Sequence, residues 1–231
     1  MKHHIHWMIL LIASSIGCQT RIPVFNGNAA FTHLVAQCDF GPRNPGSVGH
    51  QKALDYFLNV LATLADTVST QSFKEVMPRS KQKVEMHNII AQFNPKAKKQ
   101  IMISTHWDTR PWGDRSLSIM RKDQPILGAN DGASGVAILL ELAKVLHDNP
   151  QKIGVNLVLF DAEDFGSNGD SWSYCKGSQY FAKNLPITLP DYAINLDMVG
   201  DANLEIYIER ISYKQNPSLV LELWGLAEEL K

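Results

Sequence analysis

Val155-Asn156-Leu157-Val158-Leu159-Phe160-Asp161-Ala162-Glu163-Asp164 is the stretch that decides the fold. Five of its first six residues are apolar, which marks a strand covered on both faces, and the run then stops abruptly at acids. Two other segments repeat the form. Residues 101–105 lead to His106, and a strand expected over residues 192–196 leads to Asp197. Helical apolar spacing at residues 136–146 separates the first two of these strands, and a short helix at residues 178–183 precedes the last. Strands that alternate with helices in this order indicate an α/β domain with a mostly parallel central sheet. Upstream, residues 67–76 and 84–93 alternate as half-buried strands do and predict a flanking antiparallel hairpin. Further helices are expected at residues 29–37, 50–65 and 218–230, and a further strand at residues 204–208.

Composition bounds the function classes. With 45% hydrophobic and 19% charged residues, the 231-residue chain can bury one core, so residues 19–231 read as a single domain. Lys and Arg total 22 against 23 acids, a net charge of -1, which supplies no field for gathering nucleic acid. No internal stretch reaches the ~18 apolar residues of a membrane-spanning helix. Residues 1–18 differ in kind: Lys2, a largely apolar run at 7–16, then Gly17 and Cys18 read as an export signal. Ser15-Ile16-Gly17 offers small residues for signal peptidase. Ile16-Gly17-Cys18 offers a bacterial lipoprotein site, with membrane attachment through a lipidated Cys18 and a periplasmic or outer-membrane location. Beyond Cys18 only Cys38 and Cys175 remain, so at most one disulfide can form, and no C-x-x-C spacing exists to build a thiolate zinc site. Any metal here must use His and carboxylates.

The candidate ligands sit where α/β sheets place their sites, beyond the carboxyl ends of the strands. His106, Glu163, Asp164 and Asp197 each follow a strand, and Asp131 stands just before the long helix in Gly128-Ala129-Asn130-Asp131-Gly132-Ala133-Ser134-Gly135. Singly, each has a structural reading: a hydrogen-bonded His, a helix N-cap, a solvated acidic turn. Together, four acids converging on one imidazole repel one another unless a cation neutralises them. That ligand set suits zinc without excluding other first-row metals.

Several linked motifs carry a resemblance. They are Asp39-Phe40-Gly41-Pro42-Arg43, His106-Trp107-Asp108-Thr109-Arg110-Pro111, the segment around Asp131, Phe160-Asp161-Ala162-Glu163-Asp164, Gly177-Ser178-Gln179-Tyr180 and Asn195-Leu196-Asp197-Met198-Val199-Gly200. Over about residues 30–210 the chain resembles the zinc aminopeptidase-like hydrolases, and within them the animal-type glutaminyl cyclases. The resemblance implies a three-layer α/β sandwich and a zinc cofactor. It implies His106, Asp131, Asp164 and Asp197 as metal-site ligands, with Asp131 placed to bridge two ions. Asp108 is the residue that orients the site, Glu163 is the general acid/base, and Asp197 counts among the catalytic residues as well as the ligands. Trp172 and Trp107 are implied as substrate-binding aromatics. The implied reaction converts the N-terminal Gln of peptides to pyroglutamate with release of ammonia. The same residues could run an aminopeptidase, with Glu163 as base toward a water.

One departure bears on the metal. The resemblance places a further His ligand in a C-terminal segment, whereas the last histidine here is His147. The expectation is therefore a domain whose C-terminal part is missing, either a fragment, a chain completed by a partner, or an inactive exported binding protein.

Overall fold

The computed structural model describes residues 22–114 and 116–230. The expected export signal and Cys18 lie outside the described residues. Five strands form one sheet: β1 (Thr67–Val76), β2 (Lys83–Phe93), β3 (Gln100–His106), β4 (Gly154–Phe160) and β5 (Tyr192–Asn195), in the order β1-β2-β4-β3-β5. β4 and β5 both run parallel to β3, while β2 runs antiparallel to both β1 and β4. The sheet is thus mixed, with parallel and antiparallel pairings in equal number. β1, β3, β4 and β5 share one direction; the antiparallel pairings come from the predicted hairpin, which joins the sheet directly with β2 beside β4.

β4 is buried at every position, and its alternation explains why. Val155, Leu157 and Leu159 pack into one core with α2 (Val48–Ala62) and α3 (Ala133–Asp148), whereas Val158 and Phe160 point to the other face and meet Phe181 of α4 (Lys176–Lys183). Successive side chains of a strand leave on opposite sides, so a run covered on both sides must be apolar throughout. Asn156, the exception, is buried but satisfied. Its amide donates to Gln100 Oε1 and to the Ile101 carbonyl at 3.1 Å, and its oxygen accepts from Gln92 at 2.8 Å. Helices on both faces of the sheet give the three-layer α/β sandwich that the resemblance implied.

α1 (Gly27–Asp39) packs on α3, and its N-terminus is capped by the Asn26 side chain. Ser47 caps α2 by accepting from the His50 amide. Two expectations fail near the C-terminal end of the described chain. β5, expected to be buried, is largely exposed because it is an edge strand hydrogen-bonded only to β3. Residues 204–208, expected as a strand, are exposed and join no ladder; α5 (Arg210–Gln215) follows, and α6 (Pro217–Glu229) is the helix expected at 218–230. Glu209 caps α5 by accepting from the Ile211 and Ser212 amides, a local signal that outweighs the alternation before it.

Candidate metal centre and active site

Strand register assembles the site. Ser104 of β3 pairs with Asn195 of β5, so two residues further along each chain His106 and Asp197 come side by side. Their atoms Nε2 and Oδ1 are 3.4 Å apart. Asp131 arrives from the turn before α3, with its Oδ1 2.9 Å from His106 Nε2. That approach depends on Gly132, whose φ is +83° and whose missing Cβ would lie about 3.1 Å from the His106 ring. The α3 backbone also sits close on β3, because a Cβ at Gly135 would fall 2.1 Å from Thr105 Oγ1.

His106 is buried, and neither ring nitrogen has a hydrogen-bond partner. The carboxylates beside it are close without being aligned to receive an N–H. A buried imidazole whose lone-pair nitrogen meets two carboxylate oxygens, all within 4.8 Å of one another, is the arrangement that a divalent cation completes. His106, Asp131 and Asp197 thus fit a metal. Without an ion, burial would lower the His106 pKa, but the carboxylates of Asp108, Asp131 and Asp197 override it and raise it well above the ordinary value.

Asp108 organises the other side. It is fully buried, accepts the Glu163 amide on Oδ1 at 2.9 Å and the Asp164 amide on Oδ2 at 3.2 Å, and lies 3.5 Å from His106 Nδ1. One carboxylate therefore ties the acidic turn to the imidazole. Within that turn Ala162 holds a left-handed φ of +55°, which re-aims the chain after the strand and presents Glu163 to the site. Burial, aided by Asp108 and Asp164, pushes the Glu163 carboxyl up to about 7 against the pull of His106. Burial and the Asp131 charge likewise raise Asp164 to about 6.

Asp131 and Asp164 line a common cavity of about 640 Å³, walled by residues of the long loop that follows β3, at 107–126, and by Tyr174. Asp164 stands apart from the His106–Asp131–Asp197 group. Its Oδ1 is 3.6 Å from Arg110, whose guanidinium also makes a bidentate pair with Asp114 and donates to the Asp164 carbonyl. Trp112 packs under Arg79, 4.3 Å from ring centroid to guanidinium carbon, which anchors the long loop.

Neither of the two aromatics expected to bind substrate lines this cavity. Trp107 is fully buried, stacked on His50 with ring centroids 4.3 Å apart and donating to the His87 carbonyl, so it supports the sheet from within the core. Trp172 is 77% exposed in a short turn capped by Asp170 and lies off the cavity wall, where Tyr174 stands instead. Sequence reasoning passed over three residues that shape the site. Arg43 is fully buried and gives its guanidinium to the carbonyls of Gln37, Trp107, Leu127 and Gly128, fixing the segment that delivers Asp131. Arg110 and Cys175 are the others. Only the position of Arg43 in a Gly/Pro-rich turn hinted at such a role. Cys38 and Cys175 are both free thiols.

The sequence profile of Peptidase family M28 matches residues 88–230, which hold the whole cluster from His106 to Asp197. This chain belongs to peptidase family M28. Among M28-related proteins, the glutaminyl-peptide cyclotransferase of Drosophila melanogaster is 28% identical over 175 residues, covering 72% of this chain and 47% of that protein. The chain therefore spans about half the length of that curated relative. A Zn-dependent exopeptidase from Parabacteroides distasonis superposes with a TM-score of 0.87 at 33% identity, covering 91% of this chain and 74% of that one. Glutaminyl cyclase from Bacteroides thetaiotaomicron, solved with N-acetylhistamine, superposes at 0.86 with 32% identity and the same coverage. Both likenesses place this M28 chain in the zinc exopeptidase and glutaminyl cyclase fold.

Proposed function

We propose that the chain carries the site of a zinc-dependent glutaminyl-peptide cyclotransferase acting on peptides with N-terminal Gln. The observation that carries the reading is Glu163, half-buried with its carboxyl near neutrality and 3.9 Å from His106 of a metal-competent trio, next in sequence to Asp164, which lines the cavity of about 640 Å³ together with Asp131. Similarity to cyclases from an insect and a bacterium supports it.

His106, Asp131 and Asp197 would hold the zinc, three protein ligands with room for an exchangeable one, and the ion would supply Lewis-acid polarisation of the Gln carboxamide oxygen. The substrate's α-amine then attacks the side-chain amide carbon. A C–N bond closes the five-membered ring, the bond to the amide nitrogen breaks, and ammonia leaves. Nucleophile and electrophile are already tethered, so the chain's task is orientation and proton movement. Glu163 takes the proton from the attacking nitrogen and delivers it to the departing one, which a carboxyl near 7 suits. Asp108, accepting the Glu163 and Asp164 amides, fixes the backbone that carries that carboxylate. The apolar run before Cys18 supports export, with a lipid-bearing Cys18 holding the protein at a bacterial membrane.

The test offers purified, zinc-supplemented protein a Gln-initiated peptide and a Leu-anilide. Ammonia from the peptide with the anilide intact is the expected result. Anilide cleavage without ammonia overturns the reading in favour of an exopeptidase, for which Glu163 would be base toward a water.

A further inference from the structure

The turn that carries Glu163 is gripped by the start of α4. Three consecutive amides there, of Cys175, Lys176 and Gly177, donate to three consecutive carbonyls, those of Glu163 at 2.9 Å, Ala162 at 3.0 Å and Asp161 at 3.0 Å. Gly177 has no room for a Cβ, which would fall 2.2 Å from the Asp161 oxygen, so the grip is close. Cys175 precedes the helix in a left-handed conformation, φ 54° and ψ 37°, unusual for a residue with a side chain. In that conformation its Sγ lies 3.4 Å from Glu163 Oε1. Among the described residues this is the hydrogen bond that reaches the Glu163 carboxylate; His106 Nδ1 lies 3.9 Å from the other oxygen.

We infer that Cys175 is a positioning residue for the reaction, its thiol donating to Glu163 Oε1 so that Oε2 is left free to exchange a proton with substrate. The inference rests on the general acid/base role proposed for Glu163. Burial and the Glu163 charge push the thiol up to about 12, so it keeps its proton and acts as a donor and not as a nucleophile or ligand. A thiol is a weak donor. It can therefore steer the carboxylate while leaving it basic, which a strong charge-assisted donor would not do.

Two arms test this in the full-length, zinc-supplemented protein. In the kinetic arm, Cys175→Ala lowers kcat about five- to tenfold, the rate equivalent of one modest hydrogen bond. KM, zinc content and melting temperature stay put, and Cys175→Ser recovers most of the loss. Equal losses in both variants, or a change in KM alone, would overturn the inference. In the second arm, infrared spectroscopy follows the S–H stretch that disappears in Cys175→Ser. It is expected to move toward the free-thiol frequency in Glu163→Gln; a stretch indifferent to that substitution also overturns the inference. Because the infrared arm needs no turnover, absence of ammonia release from the unaltered protein would count against the proposed function alone.

Discussion

At the scale of single residues, placement and chemistry divide cleanly. His106, Glu163 and Asp197 were legible because an ionisable side chain just beyond an apolar run has few structural uses; register sets His106 beside Asp197, and the turn before α3 brings Asp131 to the same edge. On the proposed reading, replacing Glu163 by Gln removes the proton carrier and leaves the trio intact. Ammonia release should fall by about 10²–10⁴ while bound zinc, read by elemental analysis, is unchanged. Asp161 is a different case. The sequence marks it only as the first acid after β4, yet it is fully buried and accepts from His50 at 2.9 Å, from the His87 amide at 2.7 Å and from the Ala162 amide at 2.8 Å. Its neighbours define it, and no motif reports them. Asp161→Ala would strand all three donors, and denaturant unfolding should show a loss of about 3 kcal/mol or more. The roles of Arg43, Cys175 and Trp107 were hidden for the same reason: each depends on which distant segment packs against it.

Elements were readable where periodicity and burial agree. β4 is the strongest case, since both faces are covered and its apolar run had one reading. Leu157 is fully buried at its centre, facing α2 and α3. Leu157→Ala should lower unfolding free energy by about 2–5 kcal/mol, measured by chemical denaturation, with the denaturant slope unchanged. Edge elements were less legible. β5 has an apolar pattern like that of a central strand, but burial is decided by how many neighbours a strand acquires, and β5 acquires one. At residues 204–208 alternation suggested a strand, but alternation needs a ladder to become one, and the Glu209 cap starts a helix directly after it. The long loop is intermediate. Its role as cavity wall follows from the Arg79–Trp112 stacking and the Arg110–Asp114 pair, neither of which local sequence displays.

For the whole molecule, the core and the site make separate demands. The main core of α2, α3, β2 and β4 is apolar and includes none of the carboxylates, so its burial does not draw on an ion. At the site, Asp108, Asp131, Glu163 and Asp197 lie within 3.9 Å of one imidazole while Asp164 feels the charges of Asp131 and Asp108, and the mutual repulsion of these acids favours any state in which a cation is bound. A ligand that binds only the folded chain stabilises it by mass action, about 2.7 kcal/mol at a concentration one hundred times its dissociation constant. In a chain of this length each kcal/mol moves the melting midpoint by roughly 2–4 °C. Zinc at that excess should therefore raise the midpoint in calorimetry by about 5–10 °C over a chelator-treated sample. The far-ultraviolet circular dichroism at room temperature should be the same in both, because the sheet and its two helical layers do not depend on the ion. Asp131→Asn should abolish the zinc-dependent shift, since it removes a charge from the trio while retaining its shape. An unaltered shift in that variant would mean that zinc binds elsewhere than at His106, Asp131 and Asp197.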